Sequence, residues 1–247
     1  MTDVRLIALA LVTSAVVTAV FVFVPPVPQW PEYHDFADRR AWLGIPGFFD
    51  VASNALFVLV GAAGLHRLLS VRRRPVFRDP RERWPWLVFF LALILLGPAS
   101  AYYHLAPDNA GLCWDRLVMS AVFMAWFSAH LVERIGLRVG LVLLPMLLAA
   151  GAASVLYWIA TEALGAGDLR AYGLVHFYPA LLIPLLLALF PPGYTRGGTA
   201  SSCWDCTARH WWPNCSTGRF SHSPARSPGI PSSTCSPPWR PAGRCAC

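Results

Sequence analysis

Six apolar runs, each about long enough to cross a hydrocarbon core, recur along the first 190 residues between short polar breaks. They fall at roughly 6–24, 48–69, 85–104, 115–133, 139–160 and 171–190. This pattern predicts an all-α, polytopic membrane helix bundle with six transmembrane helices. The first run carries Arg5 ahead of an apolar stretch and so resembles a signal peptide, but it is long and leads into "VPPVPQW" without a small-residue cleavage site. It is therefore read as an uncleaved helix.

The breaks between runs predict orientation. "SVRRRPVFRDPRERW" holds six arginines, "ERIGLR" two, and "PPGYTR" follows the sixth run. Excess positive charge marks the cytoplasmic side. "APDNAGLC" and "TEALGAGDL" carry only acidic residues, and in "WPEYHDFADRRAW" three acids offset Arg39 and Arg40. Alternation then holds throughout, with the N-terminus cytoplasmic and the expected location a bacterial inner membrane.

Composition supports this picture. Of 247 residues 56% are hydrophobic and only 13% charged, and the mean hydropathy is +0.49. The formal charge is +7 and every basic residue outside histidine is arginine. The arginines sit in short loops, which topology explains better than nucleic-acid binding does. The expected partners are the bilayer and a lipid. The sequence leaves the oligomeric state open.

Against that apolar background one stretch stands out, "GPASAYYHLAPDNAGLCWDRLVM" at 97–119. Ser100 and His104 are spaced i, i+4 and share a helix face at the outer end of the third run. Asp115 opens the fourth, and a hairpin of about ten residues lets it approach them. Each has a plain reading: Ser100 bonds its own helix, His104 is an interfacial histidine, Asp115 caps a helix and Arg116 snorkels. Taken together they form a hydrolytic set, with a metal ligand, a hydroxyl for an oxyanion and a carboxylate for a proton. One histidine does not hold a catalytic zinc, which takes about three protein ligands. His66, His130 and His176 supply no pair at helical spacing.

With "YHDFADRRAWLGIPGFFDVASNALF" and "GDLRAYGLVHFYPALLIPLLLALFPPGY", this stretch resembles a bacterial branch of the alkaline ceramidases, over about residues 30–196. Members of that family are intramembrane amide hydrolases with a core of seven helices. The resemblance implies that Ser100 steadies an oxyanion, His104 binds zinc and Asp115 transfers a proton. It implies a ceramide-like lipid amide as substrate, with an N-acyl amino lipid equally reasonable. Family members also carry a structural calcium site before their first helix. Here His34, Asp35, Asp38 and Asp50 offer hard ligands in another pattern, and the plainer reading is a solvated loop. The family's other zinc ligands form a His–x3–His pair near the start of its last helix, which this chain lacks.

After Arg196 the chain has no Leu, Val or Met, but six of its seven cysteines and four of its eleven tryptophans. Cys203, Cys206, His210 and Cys215 mimic a zinc knuckle. A codon reading accounts for more. In a GC-rich gene, "WPNCSTG" can be written in codons whose bases spell AELLDR in another register. In that same register "SPGIPSSTCS" can be written to spell VSGHTLKHLL, which contains a His–x3–His pair. The expectation is a helical unit over 1–196 and a disordered, frameshifted tail over 197–247, leaving an incomplete zinc site and no turnover. The competing expectation is a non-enzymatic membrane scaffold or receptor-like protein.

Overall fold

The structure, a computed structural model, describes residues 2–36, 38–70, 77–191 and 193–194. It is all-helical, with no strands among the described residues. Seven α-helices follow in order among the described residues: α1 (Thr2–Phe23), α2 (Phe48–Ser53), α3 (Ala55–Ser70), α4 (Arg83–Leu105), α5 (Asn109–Arg134), α6 (Leu137–Ala163) and α7 (Arg170–Leu189). They make six segments long and apolar enough to cross a membrane, α2 and α3 together forming the second, Phe48–Ser70. This is the architecture of an integral multi-pass membrane protein. The break at Asn54 has a local cause, because its side-chain amide donates to the Asp50 carbonyl at 2.7 Å and so competes with the helix ladder.

Helix α5 is the central post and packs on α4, α6 and α7, while α3 lies on α4, and α1 packs on α7 alone among the described helices. Small residues set the closest approach. A Cβ at Gly97 would meet Val58 Cγ2 at 2.4 Å, and one at Gly61 would meet the Ile94 backbone nitrogen at 2.9 Å. Glycine at both positions lets α3 and α4 pack backbone to backbone. The α5–α7 seam is apolar, built by Phe127, Leu131, Leu182, Ile183, Leu186 and Phe190. Outward faces remain hydrophobic, with Val4, Leu11, Leu59 and Leu95 exposed, as bilayer-facing positions require.

The two ends of the bundle are closed differently. At one, Arg5 donates to the Leu189 carbonyl at 2.6 Å, Arg134 to the Phe190 carbonyl at 3.2 Å, and Tyr194 bonds Glu82. At the other, the segment joining α1 to α2 reaches across several helices. Val27 accepts from the Leu169 backbone at 2.9 Å, and His34 contacts Tyr103 Oη at 3.0 Å and Asn109 Oδ1 at 3.1 Å.

One helix start differs from expectation. Helix α5 begins at Asn109, not 115, so the hairpin shrinks to Ala106, Pro107 and Asp108. The cap is Asp108, whose carboxylate accepts from the Gly111 backbone at 2.6 Å. Asp115 lies inside the helix and is no cap. The tail from 195 onward, with the knuckle cysteines and the register reading, lies outside the described residues.

Candidate functional site

Helix α4 presents Ser100 and His104 one turn apart, and α5 brings Asp115 against them across the tight hairpin. Ser100 is 7% exposed and Asp115 5%. The Ser100 hydroxyl is the side-chain neighbour facing the Asp115 carboxylate, and His104 lies within electrostatic range of it. The structure thus brings together the three residues singled out in the sequence. Their hydrogen-bonding capacity is not used up. Asp115 Oδ1 and His104 Nδ1 are both buried without a partner, and such groups are rare in folded proteins and costly to leave unpaired.

The α1–α2 segment forms the roof. The Phe36 ring lies 4.4 Å from the His104 ring, and Tyr103 lies 5.4 Å from it. Beside them a hollow of about 190 Å³ is lined by His34, Asp35, Asp38, Asp50 and His104 among others. Two of its carboxylates are engaged: Asp35 pairs with Arg39 at 2.6 Å, while Asp38 pairs with Arg40 at 2.7 Å and accepts from the Phe49 backbone at 3.1 Å.

Of the other described histidines, His34 lines the same hollow as His104, and the remaining three have other neighbours. His130 contacts the Trp126 carbonyl at 2.9 Å, His66 lies 3.5 Å from Ser70, and His176 packs against Phe123, Tyr172 and Phe177. Among the described residues no group of three or more His, Cys, Asp or Glu is placed to hold a metal ion. The described side chains therefore do not fit a zinc site by themselves. His104 and Asp115 contribute two donors where a catalytic zinc takes three.

Arg116, read from the sequence as a snorkelling side chain, is placed otherwise by the structure. It does not snorkel. It is 5% exposed, its guanidinium lying 4.2 Å over the Trp158 ring, 4.9 Å from Tyr172 and 5.5 Å from Tyr33. Its Nη2 donates to Gln29 Oε1 at 2.7 Å, and its Nη1 is buried without a partner. The available signal was a charge pair, Asp115–Arg116, followed at once by an apolar helix. An arginine there must face the bundle interior or reach for the surface, and the aromatic residues of α6 and α7 draw it inward.

Fold and site together define a class: a multi-pass helical membrane protein with a buried serine, aspartate and arginine beside a half-buried histidine at one end. No family model matches the chain, and no curated protein or solved structure matches it.

Proposed function

We propose that the chain carries the helical scaffold and part of the active site of an intramembrane lipid-amide hydrolase of the alkaline ceramidase kind, and that it has no turnover as encoded. The carrying observation is the meeting of Ser100, His104 and Asp115 in one cluster, in which Asp115 Oδ1 and His104 Nδ1 lack protein partners. A hydroxyl facing a carboxylate suits amide hydrolysis. Ser100 Oγ is placed to donate to a carbonyl oxygen as it gains charge, and Asp115 is placed to take a proton from water and return it to the leaving nitrogen. Acyl chains would reach the cluster from the bilayer between the apolar helices. His104 stands as the lone zinc ligand of a site whose partners belong to the other reading register.

The described arginines of the basic loops, Arg78, Arg81, Arg83, Arg134 and Arg138, lie at the end opposite the cluster, which supports a cytoplasmic N-terminus and an outward-facing site in a bacterial inner membrane. The test compares the 247-residue protein with one whose reading frame is restored after about residue 196. The restored protein should hold one zinc per chain, the content of a single three-ligand site, and cleave an N-acyl lipid. The chain as encoded should do neither. Amide cleavage by the encoded chain, or a restored chain without zinc, contradicts the proposal; the latter result would favour a non-enzymatic scaffold.

A further inference from the structure

The Arg116 box has the features of a recognition site. A buried guanidinium normally meets a carboxylate or phosphate through two parallel N–H bonds. Arg116 has neither. Among the described residues it forms no ion pair, although Asp115 precedes it in the chain and Glu162 shares Gln29 and Trp158 with it as neighbours. Glu162 Oε1 is already occupied, accepting from the Gln29 backbone at 2.5 Å and from Trp158 Nε1 at 3.2 Å. Among the described residues Arg116 donates one hydrogen bond, to a neutral amide oxygen, and the adjacent Nη1 has no partner. Gln29 thus fills half of the fork. It lies on the segment that roofs the site, and so does Tyr33, which supplies one of the three aromatic faces.

We infer that Arg116 is the anchor of an anion-binding site, which takes the carboxylate or phosphate of an amphiphile's headgroup, with Gln29 Oε1 standing where one anion oxygen sits. An incoming anion displaces the amide and satisfies Nη1 and Nη2 together, while Trp158, Tyr172 and Tyr33 hold the guanidinium plane in place. The assignment needs only the surroundings of Arg116. One extension rests on the function proposed above: the lipid amide would then be an acidic one, an N-acyl amino acid rather than a neutral ceramide.

The test measures binding and not hydrolysis, so it can fail independently of that function. Radiolabelled N-palmitoylglycine and its neutral counterpart N-palmitoylethanolamine are titrated onto the full-length protein in uncharged detergent. The anionic amphiphile should bind roughly tenfold tighter or better, as expected for one charge-assisted bidentate contact. Arg116→Gln should abolish the preference. Gln29→Glu gives the guanidinium a resident carboxylate, keeps the fold independent of how Arg116→Gln behaves, and should reduce N-palmitoylglycine to the level of the neutral compound. Competition by millimolar acetate or inorganic phosphate would support the site and assign it to soluble anions; its absence would support a lipid headgroup. Equal binding of the two amphiphiles to the wild-type protein overturns the inference. So does a preference that survives Gln29→Glu.

Discussion

Two acid–arginine neighbours sit at the same end of the bundle, Asp168 with Arg170 and Asp115 with Arg116, and their bonding is opposite. Asp168, 2% exposed, accepts from the Arg170 guanidinium at 2.8 Å, from the Arg170 backbone at 3.0 Å and from Tyr157 at 2.9 Å. Arg170 spends its remaining capacity on the Phe21 and Val24 carbonyls at 3.1 and 2.9 Å, which ties α1 to α7. Both Asp168 oxygens and the Arg170 Nε, Nη1 and Nη2 atoms all have partners. Asp115 and Arg116 are as deeply buried, yet each keeps an oxygen or nitrogen without a partner. Burial alone does not distinguish architecture from function. The distinction is whether the protein satisfies its own polar groups.

The largest expected effect comes from breaking the closed pair. Asp168→Ala strands Arg170 and unties α1, and should give the largest loss of stability among these variants in thermal or denaturant unfolding in detergent. A loss below about 1 kcal/mol would mean that the pair is only a solvated surface contact.

Acid provides a milder way to open the same pair. The Arg170 guanidinium above all, helped by its backbone N–H and by Tyr157, outweighs burial and holds the Asp168 carboxyl at about 2, below its ordinary 3.8. A lowered value means that the folded state keeps the charged form more readily than the unfolded chain does. The contribution is therefore complete above about pH 4 and disappears as pH falls through about 2. The midpoint of unfolding should drop in that window in the wild-type protein. The drop should shrink in Asp168→Asn.

The smallest effect belongs to the open pair. Asp115→Asn removes a buried charge that holds no complete bond set, and its stability change should stay within about 1 kcal/mol or be a gain. A loss as large as that from Asp168→Ala would show that Asp115 is a structural acid.

Much of the fold is legible in the sequence because a bilayer imposes it. Apolar length decides where helices run, and all six expected segments are helices in the structure. The helix starts are less legible, since hydropathy does not see caps. "PDNAGL" is polar enough to pass for a loop, but Asp108 closes a turn on Gly111 and adds two turns to α5. The same shift moves Asp115 from a cap position to a buried one, where its carboxylate faces Ser100. The Ser100–His104 spacing was readable because helix periodicity fixes it. The Arg116 box was not, since it draws on Gln29, Trp158 and Tyr172 from three separate parts of the chain, and no local pattern joins them. The break at Asn54 escaped notice for a related reason, being caused by one side-chain amide inside an apolar run.

Infrared difference spectroscopy of the carboxyl groups gives the most direct check that Ser100, His104 and Asp115 share one site. The Asp115 band, assigned by its loss in Asp115→Asn, should shift in both Ser100→Ala and His104→Ala, because each substitution removes a neighbour from the same carboxyl group. A band that stays in place in both variants would show that the three side chains do not meet.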